Sequence, residues 1–244
     1  MDEKVLELRG LQKLYKNGRG VESLSFDVYR GDVVGLLGPN GSGKTTTMKV
    51  IAGLCNATGG TVKIFGSDIE ESHEAAMRHV GCLIEMPALY EYLSAYKNLK
   101  LMARFYPEVD AARIDTVLKL VNLDRYSHDK VARFSLGMKQ RLGLAMALLS
   151  SPELIILDEP ANGLDIEGII HVREIINKLA EKGITFLVSS HIAAELEKTC
   201  NKVAVIHEGE MLSFEAIDEA LKFHPSLEDY FLTKVKEKRG SVIV

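Results

Sequence analysis

The chain has 244 residues, 46% hydrophobic and 26% charged, ordinary proportions for a globular protein able to bury its own core. Thirty basic against thirty-four acidic residues leave a net charge of −4, which argues against bulk electrostatic binding to nucleic acid and leaves room only for a local basic patch. Three cysteines, Cys55, Cys82 and Cys200, form no CxxC or Cys/His pair at zinc spacing. They read as free thiols in a reducing compartment, packed as small apolar residues. The charged start MDEKVLELRG lacks the apolar stretch of a secretory signal. The best candidate for a spanning helix, 142–149, falls far short of about 20 apolar residues. The chain is therefore expected not to cross a membrane, and any channel it serves must come from other chains.

In chain order, strands are expected at 5–8 and 21–29. In the second, Val21, Leu24, Phe26 and Val28 alternate with polar residues. A compact apolar strand at 32–37 runs into GPNGSGKTTT and then a helix through about residue 54. Gly59-Gly60 marks a turn, 61–65 a returning strand, 70–78 a short charged helix and 80–84 another strand. From Pro87 to Ser151 the strand patterns stop, and helical ones take over at 99–105, 111–121 and 136–149. Strands return at 154–157, 184–188, 203–207 and 211–214, with helices at 166–180 and 193–200 between them. The end, 226–244, reads as a short helix and a basic tail, KVKEKRG, either solvated or touching a membrane. Strand, glycine-rich loop, helix and repeated βα units imply an α/β fold with a mostly parallel central sheet. An antiparallel β region precedes it and a helical block is inserted. The whole reads as a single domain, with an α/β core at 1–86 and 152–222, a helical lobe at 87–151 and a tail at 223–244.

Gly38-Pro39-Asn40-Gly41-Ser42-Gly43-Lys44-Thr45 fits GxxxxGK[ST] and sits between a predicted strand and a predicted helix, as phosphate binding requires. The glycines let backbone N–H groups turn toward phosphate oxygens, and the helix start adds its positive end. Lys44 should reach the β- and γ-phosphates of a bound nucleotide, and the Thr45 hydroxyl should coordinate Mg²⁺; Thr46 extends the binding segment. The plain alternative is a glycine-rich strand-to-helix turn. Further on, the apolar strand 154–157 ends in Asp158-Glu159. Alone, such a pair often just ends a strand. Beside a phosphate loop, Asp158 can hold the metal and Glu159 can polarise the attacking water.

Phe134-Ser135-Leu136-Gly137-Met138-Lys139-Gln140-Arg141 resembles the signature of the ABC ATPases, written LSGGQ-x-QR, and lies between the two motifs as that family has it. Leu136 replaces the first Gly and Met138 the Gln; Ser135 and Gly137 are kept. Ser135 is also a natural N-cap for the helix that follows. The resemblance covers about residues 4 to 222. It implies that Ser135, Gly137 and Met138 contact, in trans, the γ-phosphate held by an opposite cassette. Asn162-Gly163-Leu164-Asp165 resembles the D-loop, which crosses the dimer interface through Asp165. Ser189-Ser190-His191 resembles the switch segment, making His191 a γ-phosphate contact. Tyr15 stands where the family stacks an aromatic on adenine, although a Tyr between strands also serves as packing.

Glu85 departs from the family, which has Gln there as a metal and γ-phosphate sensor that also touches the membrane partner. With SLGMKQR as signature, it resembles the narrower group of bacitracin-export and lantibiotic-immunity ATPases. Glu85 is then expected as an ATP and metal ligand; the alternative is a solvated strand end. The resemblance implies an ATPase that uses ATP and Mg²⁺, pairs with a second cassette, alike or different, and drives membrane-spanning permease subunits. It would sit peripherally on the cytoplasmic face of the membrane, with no nucleic-acid partner. An ABC ATPase acting outside transport is the other reading. Chromosome-maintenance heads need a long coiled coil before the signature, and translation factors carry two cassettes.

Overall fold

The computed structural model describes residues 3–240. Two strands, β1 (Lys4–Leu14) and β2 (Gly20–Tyr29), pair antiparallel with Leu8 opposite Phe26. In β2, alternation puts Val21, Leu24, Phe26 and Val28 into the core. The sequence pattern stops β1 at residue 8, but the strand continues to Leu14. The register shifts between Leu8 and Leu11, across Gly10 at φ 57°, and Leu11 is buried again beyond it. Such an irregularity breaks the alternation on which the sequence reading relies. β4 (Gly59–Ile64) and the two-residue β5 (Ser67–Asp68), too short to leave a sequence pattern, complete this antiparallel wing.

The second region is parallel. Five strands stand in the order β9 (Lys202–His207), β3 (Val33–Leu37), β8 (Thr185–Ser190), β7 (Leu154–Leu157), β6 (Val80–Leu83). β10 (Glu210–Ala216) runs antiparallel to β9 and meets β2 at Glu210–Glu22, joining the two regions into a ten-stranded order. β3, β7 and β8 are buried at every position, which is why they read as unbroken apolar runs. Their alternate residues feed two cores. Val33, Leu37, Ile155, Leu157 and Phe186 face one; Val34, Leu36, Ile156 and Leu187 face the other, with Met48 and Ile51.

α1 (Lys44–Ile51) follows β3 and ends short of residue 54, where Gly53 turns at φ 66°. The short α2 (His73–Met77) precedes β6. Between β6 and β7 come α3 (Ala95–Met102), α4 (Ala111–Leu120) and α5 (Leu136–Leu148), with short 3-10 turns and one isolated bridge, Ser94–Lys130. Ser94 caps α3 by accepting from the Lys97 N–H, so the helix starts before the 99–105 expected from apolar spacing. α6 (Ile166–Ala180) falls where expected; α7 (Ala193–Glu197) is shorter.

Two helices close the described chain, α8 (Ile217–Leu221) and α9 (Leu227–Gly240). α9 is longer than the short helix expected because Leu227, Tyr230 and Val235 anchor it to the core. Part of the expected basic tail thus lies on this helix, with Lys238 paired to Glu210 at 3.1 Å; residues 241–244 fall outside the described residues. All three thiols are free. Cys55 and Cys200 are half-buried, whereas Cys82, on the edge strand β6, is exposed, contrary to expectation. No helix among the described residues is long and apolar enough to cross a membrane.

Candidate active site

Parallel pairing carries the carboxyl ends of β3, β6, β7 and β8 to one edge of the sheet. Leu37 lies opposite Ser190, Leu157 opposite Val188, and Leu83 opposite Leu157. The residues just past those ends are the loop 38–45, Asp158-Glu159, His191 and Glu85. Open α/β sheets bind ligands at this edge.

The loop 38–45 wraps Lys44. Its ammonium donates to the Gly38 carbonyl at 2.7 Å and the Pro39 carbonyl at 3.2 Å, and is nearly fully buried. Gly43 takes φ 111°, and a Cβ there would come within 2.3 Å of Val21. A Cβ on Gly38 would sit 2.1 Å from the Ile206 carbonyl oxygen. Only glycine fits at either position. Ser42 Oγ is buried among the loop residues without a hydrogen-bond partner. The start of α1, with free N–H groups and the positive dipole end, completes a cradle suited to an anion.

Facing it, the Thr45 hydroxyl donates to Asp158 Oδ2 at 2.8 Å. Ser189 donates to Asp158 Oδ1 at 2.6 Å and accepts the Glu159 N–H at 2.9 Å. Glu159 needs that support, since its φ of 48° is unfavourable for a non-glycine residue. His191 Nδ1 lies 2.8 Å from Glu159 Oε2. Lys44 Nζ lies 3.3 Å from Glu159 Oε1, an ion pair without hydrogen-bond geometry, so that oxygen keeps an unused lone pair in a buried place. Four side chains, those of Lys44, Thr45, Ser189 and His191, thus converge on Asp158 and Glu159. Ser189 is the member to which the sequence reading gave no role; its only signal was its place in Ser189-Ser190-His191.

Tyr15 is exposed and borders a cleft of ≈ 320 Å³ with Asn40, Gly43, Lys44, Thr45, Thr46 and Glu159. Lys13 lies 5.4 Å from its ring centroid. Glu85 is 62% exposed, and its carboxylate is hydrogen-bonded to Lys49 of α1 at 2.7 Å. It borders a second cleft with Asp158, Glu159 and Leu136.

Ser135 and Gly137 lie apart from the loop 38–45. They line a cleft of ≈ 410 Å³ with Arg141, Gly163, Asp165 and His171. Ser135 caps α5 by accepting the Met138 N–H at 3.2 Å, and Asp165 caps α6 by accepting the Gly168 N–H at 2.8 Å. A Cβ on Gly137 would meet Leu164 at 3.1 Å, which ties the signature segment to residues 162–165. Burial, helped by the Arg141 guanidinium, holds the His171 imidazole below its ordinary range, so it stays neutral at neutral pH.

The sequence profile described as ABC transporter matches residues 21–162. The chain belongs to the ABC transporter family. This ABC cassette is 42% identical to the bacitracin transport ATP-binding protein BcrA of Bacillus licheniformis, over 89% of the chain and 72% of that protein. It is 38% identical to the lantibiotic transport ATP-binding protein SrtF of Streptococcus pyogenes, over 96% of the chain and all of that protein. A solved ATP-binding subunit of an ABC transporter superposes with a TM-score of 0.85 at 32% identity, covering 95% of this chain and 99% of that one. The cassette is the ATP-binding subunit of an ABC transporter and an ATPase.

Proposed function

We propose that the loop 38–45 and Thr46 hold the ATP phosphates, with Tyr15 against the adenine, and that Asp158, Glu159 and His191 carry out hydrolysis. The observation that supports this most is the chain of hydrogen bonds Thr45–Asp158–Ser189–Glu159, continued to His191. Among the described residues no cluster of three His, Cys, Asp or Glu forms a metal cage. Mg²⁺ takes one or two protein oxygens and completes its shell with phosphate and water. Thr45 and Asp158 would supply those oxygens, and the ion would neutralise charge on the phosphates. Glu159 orients a water and accepts its proton as the water oxygen bonds to the γ-phosphorus and the bond to the bridging oxygen breaks, leaving ADP and phosphate. His191 fixes the Glu159 carboxylate and contacts the γ-phosphate.

Ser135 and Gly137 open into a different cleft from Lys44; with Met138 they serve a second cassette, whose own signature closes over this chain's ATP. Asp165 lies at that junction. Glu85 joins the metal and γ-phosphate shell and passes the nucleotide state to permease subunits in the membrane, on whose cytoplasmic face the cassette sits. The transported molecule is a peptide antibiotic, by likeness to BcrA and SrtF. Nothing in the fold or its relatives favours a role on nucleic acid.

Glu159→Gln tests the site. It keeps the shape, removes the base, and should trap ATP-bound dimers that gel filtration resolves and ADP dissolves. Wild-type turnover by that variant would overturn the assignment. Protection of cells against bacitracin or a lantibiotic, with the permease subunits co-expressed, tests the substrate.

A further inference from the structure

Lys49 lies on α1, beyond Lys44, and donates from Nζ to Glu85 Oε1 at 2.7 Å. Glu85 leaves β6 at φ 61°, so the chain turns sharply there before entering the helical segment. Three carboxylates, those of Glu85, Asp158 and Glu159, border one cleft. Two have compensation already described: Asp158 accepts from Thr45 and Ser189, and Glu159 has Lys44 at 3.3 Å. Lys49 is the cation on the third.

A bare carboxylate at the mouth of a triphosphate site repels the ligand, and the repulsion grows as water is excluded on closure. A half-exposed ion pair contributes little to fold stability, so stability does not explain the contact. We propose that Lys49 is a positioning residue for ATP hydrolysis: its ammonium neutralises Glu85 and ties it to the phosphate-loop helix, which lets an acidic side chain stand beside the triphosphate. The inference rests on the reading of the loop 38–45 with Asp158 and Glu159 as the ATP site, to which this second cleft is joined at Glu159.

The test is the KM for MgATP and the kcat of four variants of the full chain: Lys49→Gln, Lys49→Arg, Glu85→Gln and the double Lys49→Gln/Glu85→Gln. Lys49→Gln should raise KM by about three- to fivefold at low salt, with a smaller change in kcat. The penalty should shrink at about 0.5 M salt, where screening is short-ranged. Lys49→Arg should stay within about twofold of wild type, because the charge is kept. In the Glu85→Gln background, Lys49→Gln should add almost nothing, since the carboxylate that Lys49 contacts is gone. An equal KM penalty in both backgrounds would overturn the proposal, because Lys49 would then act on the phosphates directly. An unchanged KM in Lys49→Gln would overturn it as well. Hydrolysis surviving Lys44→Ala would instead show that the site itself is misassigned.

Discussion

Ser189→Ala removes one oxygen that bonds both the Asp158 carboxylate and the Glu159 backbone N–H. The lost bond to Asp158 is charge-assisted, at 2.6 Å in a buried place, and contributes about 1.5–3 kcal/mol. The Glu159 N–H loses its acceptor at the same time, and an unsatisfied part-buried donor costs about 1 kcal/mol or more. The total is about 3 kcal/mol, which for a domain of this size lowers Tm by about 6–12 °C. The catalytic effect is separate. Without Ser189, the left-handed backbone of Glu159 loses the hydrogen bond on its N–H, and that carboxylate drifts from its position between Lys44 and His191. Misaim of a base costs about 30- to 100-fold in turnover. The phosphate loop is untouched, so ATP affinity should fall by less than about threefold. Thermal melts, steady-state hydrolysis and binding of a fluorescent nucleotide measure the three effects. Wild-type stability together with wild-type turnover would show that Thr45 alone holds Asp158, and would refute the reasoning.

Lys44→Ala should abolish hydrolysis and weaken nucleotide binding at least about tenfold by titration, because the point charge at the centre of the loop is gone. Gly38→Ala should lower stability by about 1–3 kcal/mol in urea unfolding and also impair binding, since its Cβ meets backbone oxygen at 2.1 Å and the loop must shift. Glu85→Ala should reduce transport, measured as antibiotic protection, more than it reduces hydrolysis, with a changed Mg²⁺ dependence of the ATPase; equal rates in both assays would leave Glu85 a solvated strand end.

The sequence by itself determined the fold class and most strands of the parallel sheet. A strand buried on both faces must be apolar throughout, and 154–157 could be read that way without any partner in view. It also determined the phosphate loop, because glycine positions there answer to local backbone needs: Gly43 at φ 111° tolerates nothing larger. The caps at Ser135 and Asp165 are local too, although only the first was read in advance. Features set by distant pairing were not legible. β1 runs to Leu14 because β2 and β4 continue to pair with it past the Gly10 irregularity, and α9 exists at its full length because the core offers Leu227 and Tyr230 a place to pack. Ser189 gained its role only when parallel pairing set β8 beside β7, and Lys49 met Glu85 only when α1 folded back beside the end of β6. Local conformational rules are written residue by residue, whereas the geometry of charges at the sheet edge arises from contacts between segments that no local pattern brings together.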